Sequence, residues 1–154
     1  MDGHNILLPY NFTPYDQKAF NFIVTAFANQ KDIKITLFYA YTPLPSMDVT
    51  DDKITGRLRD SVSYLTKKIS EQEAALQSIK DQLVQSGFAS VDITCVFKPR
   101  KKDVASEIIE LWSTEKFNLI VLNHKRGRVK RFFTGSVYSK LVESLSDTTI
   151  CIVS

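Results

Sequence analysis

Strand-like and helix-like segments alternate along the whole chain, and this alternation restricts the fold more than any other feature. Short segments with strand character are separated by segments that carry apolar residues at helical spacing, in the order β-α-β-α-β-α-β-α-β. The strand-like segments are residues 5–9, 33–41, 91–97, 118–122 and 148–153. Short connections and intervening helices are typical of parallel strands. The pattern therefore predicts an α/β fold in which a mostly parallel sheet carries helices on both faces.

The ends of the predicted helices carry residues that favour helix starts and stops. Thr13 and Pro14 form an N-cap followed by a first-turn proline. The clearest periodicity runs from Ile54 and predicts a long amphipathic helix, which Gly87 ends as a C-terminal cap. Asp103 is predicted to cap the third helix.

The length and composition fit one globular domain. The 154 residues, 44% of them hydrophobic, can bury a single core, and no repeat or linker divides them, so we predict one domain over residues 1–154. No apolar run approaches the roughly 20 residues that span a bilayer, and the first residues do not resemble a signal peptide. Two cysteines cannot form a disulfide framework. We therefore expect a cytoplasmic protein that does not associate with membranes.

Basic residues are concentrated in two short segments. Residues 98–102 and 125–131 hold nine of the twenty Lys and Arg residues and no acidic residue, which leaves 11 basic against 17 acidic residues elsewhere, a net charge of −6. The total of +3 is too small to indicate a nucleic-acid binder. Apart from Phe132 and Phe133, aromatic residues are not interleaved with the basic ones, so stacking on bases has little support. We predict that nucleic acid is not the partner, an expectation that steep salt dependence of binding would contradict.

Both basic segments follow predicted strands. In an open parallel sheet, ligands bind beyond the carboxyl ends of the strands, where the direction of winding reverses. Residues 10–13, 98–102 and 123–135 all leave strands at that edge. Gly135 and Ser136 open the last helix, where free N–H groups can hold a phosphate. One interpretation is an anion site, and the alternative is a pair of solvated basic loops beside an ordinary Gly-Ser helix start.

The chain offers few residues for catalysis. His4 lies near the N-terminus and His124 follows the fourth strand, so one histidine at most is available at the ligand edge. Cys95 and Cys151 lie inside predicted strands rather than in a CxxC motif, so we predict no zinc site. No GxSxG, HExxH or GxxxxGK[ST] motif is present. We therefore predict a protein that is not an enzyme, with a slow ATPase as the alternative.

Three segments resemble one known family. The sequence ILLPYNFT at residues 6–13 resembles ILVPVDFS, which opens universal stress proteins. DVASEIIEL at residues 103–111, followed by NLIV at 118–121, is similar to that family's DPAEAILEL and DLIV. GSV at residues 135–137, followed by TICIV at 149–153, resembles its GSV and CPVLVV. The resemblance covers nearly the whole chain in the right element order.

The resemblance implies more than periodicity does. It implies a five-stranded sheet of order 3-2-1-4-5, the adenine nucleotide alpha hydrolase-like fold, with a crevice between strands one and four. It also implies a homodimer paired through the last strand, whose apolar edge would otherwise be exposed.

Members of the family that bind ATP resemble the pattern G-x2-G-x9-G-[ST] after strand four. Counting back from Gly135 places Lys125 and Leu122 at the first two glycines, while Gly135, Ser136 and Val137 match. Side chains at those two positions obstruct close approach of phosphates to the backbone, although Lys125 brings a positive charge. Asn11 stands where the family has an acidic residue.

The sequence thus predicts a non-enzymatic stress-response protein that acts as a cytoplasmic dimer. The alternative is a switch that binds ATP or another adenine nucleotide in the crevice. We predict no certain cofactor, and the replaced glycines argue against ATP binding in the family's manner. The residues predicted to contact a nucleotide or other anion are Pro9, Asn11, Leu122, Lys125, Arg128, Gly135, Ser136 and Val137.

Overall fold

The computed structural model describes residues 3–44, 52–124 and 135–154. Its strands are β1 (His4–Pro9), β2 (Ile33–Tyr41), β3 (Ile93–Pro99), β4 (Leu119–Asn123) and β5 (Thr149–Val153). Its α-helices are α1 (Asp16–Phe27), α2 (Asp52–Gln85), α3 (Val104–Glu115) and α4 (Gly135–Ser144). All strand pairs are parallel and the order is β3-β2-β1-β4-β5. The predicted fold class and strand order are therefore confirmed.

Each face of the sheet has its own core cluster. Ile6 and Leu8 of β1 pack in one cluster with the buried faces of α1 and α2, whereas Leu7 packs in the other with α3 and α4. Successive strand residues alternate in this way because their side chains point to opposite faces. Strand β4, which lies between β1 and β5, is buried at every position, as its continuous apolar run predicts.

The long helix α2 ends as the sequence predicts. Gly87 has φ 113°, a left-handed conformation that favours glycine, and the Phe88 N–H donates to the Leu83 carbonyl at 3.2 Å. At 1.5 Å per residue, the 34 residues of α2 extend about 51 Å, whereas the nine residues of β2 extend about 30 Å. Consequently the buried residues among the described side chains of α2, namely Leu76, Ile79 and Leu83, all lie in its C-terminal half.

Two predicted element starts are wrong by two or three residues. α1 begins at Asp16 rather than at Thr13 and Pro14, and the Thr13 hydroxyl makes no capping hydrogen bond. β3 begins at Ile93 because residues 90–92 form a 3₁₀ turn that leaves Val91 88% exposed. The local residue types favoured the earlier starts, but tertiary packing decided both.

The start of α3 confirms the predicted cap. The Asp103 carboxylate accepts hydrogen bonds from the Ser106 N–H at 2.8 Å and from Lys140 Nζ of α4 at 3.1 Å. These bonds lower the pKa of Asp103 to about 2 and link the two helices on this face. Among the described residues, no helix is both long and apolar enough to cross a membrane.

Candidate functional site

The winding of the sheet reverses between β1 and β4. From β1 the chain proceeds through β2 to β3 on one side, and from β3 it crosses to β4 and then β5 on the other. The loop that follows β1 and the residues that follow β4 therefore diverge at the carboxyl edge, which leaves a crevice between them.

A buried carboxylate connects the two sides of this crevice. Asp16, 1% exposed, accepts hydrogen bonds from the backbone N–H of Thr13 at 2.7 Å and of Asn11 at 3.2 Å. Its other contact is with the side-chain amide of Asn123, the last residue of β4. We call Asn11, Thr13, Asp16 and Asn123 the Asp16 cluster. The cluster fixes the loop after β1 against the end of β4.

Burial dominates the electrostatics of the cluster. Loss of solvent raises the pKa of Asp16 above its usual value, and the hydrogen bonds from Thr13, Asn11 and Asn123 oppose that rise only partly. The Thr13 hydroxyl also favours the ionised carboxylate but lacks hydrogen-bond geometry. Burial, together with the Asp16 charge, raises the pKa of neighbouring Tyr10 to about 12. Tyr10 therefore keeps its proton at neutral pH.

Within the part of the chain that the structure describes, three buried polar atoms of the Asp16 cluster have no hydrogen-bond partner. They are Asn11 Nδ2, Thr13 Oγ1 and Asn123 Oδ1, a donor, a hydroxyl and an acceptor. An unsatisfied buried polar group costs roughly 1–3 kcal/mol, so three in one cluster indicate that something polar completes them. A water or the hydroxyl of a ligand can accept from Asn11 and donate to Asn123.

The end of β4 differs from the count that placed Leu122 in the crevice. Leu122 is completely buried in the core cluster that faces α3 and α4, so its side chain does not reach the crevice. Asn123, one residue later, reaches the β1–α1 loop instead. The sequence-based prediction missed Asn123 because it counted backwards from Gly135 across the loop after β4. That count does not depend on which residue ends the strand.

The structure describes some of the other predicted site residues and not others. Pro9 ends β1 and is buried, and Asn11 belongs to the Asp16 cluster. α4 begins at Gly135, as the Gly135-Ser136 pair predicts, although the side chain of Ser136 is not described. Val137 is half-buried against the α3–α4 core cluster. Lys125 and Arg128 lie outside the described residues.

The first basic segment does not reach the crevice. It follows β3, and three strand spacings, roughly 14 Å, separate β3 from β4. Buried Glu107 of α3 accepts hydrogen bonds from the Lys101 and Lys102 N–H groups at 2.6 and 3.0 Å and pairs with Lys98 Nζ at 3.0 Å. Lys102 Nζ also lies 3.8 Å from the Glu110 carboxylate. This segment is therefore held by acidic residues of the protein itself.

A polar cavity of about 420 Å³ adjoins the Asp16 cluster. Tyr15 and Lys18 line it from the start of α1, and His124 and Ser154 line it from the ends of β4 and β5. Tyr15 and His124 directly adjoin Asp16 and Asn123 in sequence. The cavity and the cluster therefore lie at the same carboxyl edge and come from neighbouring residues of the chain.

A second cavity, of about 290 Å³, is mostly apolar and lies apart from the crevice. Tyr41, Pro43 and Pro99 line it from the ends of β2 and β3, and Ile69 lines it from α2. Within the described ranges, no three His, Cys, Asp or Glu side chains are arranged to hold a metal ion.

The sequence matches the model of the universal stress protein family over residues 3–151. The chain belongs to the universal stress protein family. This one match covers the segments that resemble the family, apart from residues 152 and 153. No curated protein has a sequence that matches this chain.

Several solved structures share the fold. The hypothetical protein MJ0577 is 19% identical, with a TM-score of 0.67, and the match covers 99% of this chain and 96% of that one. A universal stress protein in complex with cAMP is 17% identical, with a TM-score of 0.62, and covers 100% and 98%. An AMP-bound family protein from Arabidopsis thaliana is 13% identical, with a TM-score of 0.57, and covers 97% and 90%. At these identities the likeness shows the fold alone.

In this universal stress protein, two residues of the crevice had no signal in the sequence-based prediction. Asp16 resembles an ordinary acidic residue in a first helical turn, and Asn123 lies one position from the counted residue. The presence of Asp16 also changes the interpretation of Asn11, because a carboxylate is present in the crevice although the family's acidic position is not acidic.

Proposed function

We propose that this universal stress protein is a non-enzymatic, cytoplasmic regulator that binds an adenine nucleotide in the crevice between β1 and β4. The observation that carries the proposal is the Asp16 cluster, whose donor and acceptor atoms lack partners at the point where the sheet reverses. A ribose hydroxyl suits this pair because one hydroxyl both accepts and donates a hydrogen bond. Related structures hold AMP and cAMP, as their descriptions state, which supports an adenine nucleotide.

The adjoining cavity supports the same proposal from its size and chemistry. At about 420 Å³ it lies within the range of small-molecule sites. Its lining includes a lysine and a histidine, which suit an anion, whereas the second cavity at β2 and β3 is mostly apolar. The crevice is therefore the better site for a molecule with a sugar and a phosphate.

A thermal-shift experiment tests nucleotide binding. AMP, cAMP and ATP at 1 mM are compared with buffer, and a ligand present at about 100 times its Kd stabilises the native state by about 2.7 kcal/mol. For a chain of this size that corresponds to a rise in Tm of roughly 5–10 °C. We expect at least one of the three nucleotides to give this rise, and the absence of any rise at 1 mM contradicts the proposal.

A tryptophan at the start of α4 provides the specific variant. Gly135→Trp places a large side chain where the last helix opens, so we expect it to abolish the nucleotide-induced rise in Tm. Gly56→Trp is the matched control, because a side chain added at Gly56 meets no atom within 4 Å. The control should keep the full rise. We expect both variants to release phosphate from ATP no faster than buffer without protein does. Faster release contradicts the non-enzymatic part of the proposal.

We also propose that the protein acts as a homodimer through β5. This strand is at one edge of the sheet, so one side of its backbone has no neighbouring strand in the described chain. It is apolar, and Ile152 is 46% exposed. An exposed apolar edge strand favours pairing with a second copy, because pairing satisfies the backbone and covers the side chains.

Light scattering during size-exclusion chromatography tests the dimer. The protein at micromolar concentration should have twice the mass of one chain, and Ile152→Lys should convert it to a monomer because a charged side chain opposes edge pairing. Val91→Lys is the control, since Val91 is 88% exposed outside β5. A monomeric wild-type protein, or an Ile152→Lys variant that remains dimeric, contradicts pairing through β5.

A further inference from the structure

We infer that the polar cavity beside the Asp16 cluster is a phosphoryl-binding subsite that uses Lys18 and His124 in place of glycine-rich backbone. The inference rests on the proposed nucleotide binding and assigns the phosphoryl group to a definite place. Tyr15, Lys18, His124 and Ser154 line this cavity of about 420 Å³. None of these residues belongs to the glycine pattern that follows strand four in nucleotide-binding relatives.

The charges around the cavity favour an anion. Lys18 is exposed, and no acidic partner is seen for it among the described side chains. The cavity also lies at the start of α1, whose positive dipole end attracts anions. The nearby Asp16 carboxylate is 1% exposed and already accepts three hydrogen bonds, so it faces the cluster rather than the cavity.

The backbone fixes His124 at this position. Its N–H donates to the Val153 carbonyl at 2.8 Å, which extends the pairing of β4 with β5 by one residue. Its ring lies 5.8 Å from the ring of Tyr138, whose hydroxyl donates to the Asn123 carbonyl at 2.9 Å. An imidazole held in this way can donate a hydrogen bond to a phosphoryl oxygen without a further ordering cost.

The position of the cavity relative to the Asp16 cluster suits a nucleoside monophosphate. Asn123 Oδ1 lacks a partner and belongs to a side chain that is 1% exposed, and the next residue lines the cavity. A sugar hydroxyl at the cluster therefore places an attached phosphate beside His124 and Lys18. One lysine and one imidazole donor suit one phosphoryl group better than the three of ATP, because lysine contacts phosphate as a single point charge.

Titration calorimetry with AMP, adenosine and inorganic phosphate tests the subsite. AMP should bind the wild-type protein at least about tenfold more tightly than adenosine, because charge-assisted hydrogen bonds form only with the phosphate. Lys18→Gln should weaken AMP about tenfold and His124→Gln about fivefold, while both leave adenosine within about twofold. Lys31→Gln is the matched control, since exposed Lys31 precedes β2 at the opposite edge of the sheet. It should change neither affinity.

The outcomes separate the subsite from the proposed function. Equal affinity for AMP and adenosine, or equal weakening of both by Lys18→Gln, overturns the subsite and leaves nucleotide binding standing. If neither AMP nor adenosine binds, and neither cAMP nor ATP raises Tm, nucleotide binding fails. A titration with inorganic phosphate, followed by NMR, then decides whether an anion site exists. Saturable shifts of the Lys18 and His124 signals at millimolar phosphate support the anion site, and unchanged signals overturn it.

Discussion

Asp16→Ala should lower the free energy of unfolding by about 3 kcal/mol, because it leaves buried donors of Asn11, Thr13 and Asn123 without an acceptor. Removal of a carboxylate that is itself costly to bury offsets part of this loss. For a chain of 154 residues, a loss of this size lowers Tm by roughly 6–12 °C. Urea denaturation at pH 7 measures the effect. A loss below about 1 kcal/mol would mean that the cluster contributes little to stability.

Two further variants distinguish the role of the Asp16 charge. Asp81→Ala removes an exposed carboxylate from α2 and should change stability by less than about 0.5 kcal/mol. Asp16→Asn keeps an acceptor oxygen but has no titrating carboxyl group, so it should change the pH dependence of the free energy of unfolding. Because burial raises the folded-state pKa of Asp16 above 3.8, its contribution to stability is largest below that pH and is lost as pH rises through the folded-state pKa. The stability of wild type relative to Asp16→Asn should therefore fall as pH rises above 3.8.

Glu107→Ala should cost about 2–4 kcal/mol, because Glu107 is 1% exposed and accepts hydrogen bonds from the Lys101 and Lys102 N–H groups. The lower end of the range allows for screening of Lys98, which is 31% exposed. Glu110→Ala is the matched control, since its carboxylate is 59% exposed and pairs with Lys102 only at 3.8 Å. It should cost less than about 0.5 kcal/mol in the same urea experiment.

The pH dependence of Glu107 has the opposite sign to that of Asp16. Burial raises the pKa of Glu107, but the hydrogen bonds from Lys101 and Lys102 and the pairing with Lys98 outweigh it, so the net pKa is lowered. Its contribution is therefore present above 4.5 and is lost as pH falls through the folded-state pKa. Wild type should lose stability over this acidic range, and Glu107→Gln should lose less. Parallel curves for the two proteins would contradict this assignment.

The two carboxylates show why similar burial gives different chemistry. Glu107 has a cation beside it, whereas the donors to Asp16 among the described residues are all neutral. Neutral N–H donors lower the pKa of both carboxylates, and the pairing with Lys98 adds to this lowering at Glu107. A buried acid without a cation at the carboxyl edge of the sheet is typical of a functional position more than of a structural one.

Most of the fold could be predicted from local sequence because its elements depend on periodicity and on end signals. The steps of three, four and seven in α2, the left-handed Gly87 and the Asp103 cap each act over a few residues, so they are visible in the sequence. Strand order needed the family resemblance, because no local pattern specifies which strands are neighbours. The shifted starts of α1 and β3 depended on packing that the residue types do not encode.

The candidate site was less predictable because its residues come from distant parts of the chain. Asp16 and Asn123 are 107 positions apart, and neither belongs to a motif. The first basic segment was predicted at the same edge of the sheet as the crevice, yet it follows β3, two strand positions from β1, and is held by Glu107. A shared edge of a sheet does not make two loops neighbours, since the strand order sets their separation.

The sequence by itself determined the class of fold, the places where helices and strands alternate and the edge at which a ligand would bind, because these follow from periodicity and chain direction. Only the tertiary structure decided which side chains meet in the crevice. That choice depends on strand order and on which residue ends β4, and a shift of one residue along a strand turns a side chain from one face of the sheet to the other.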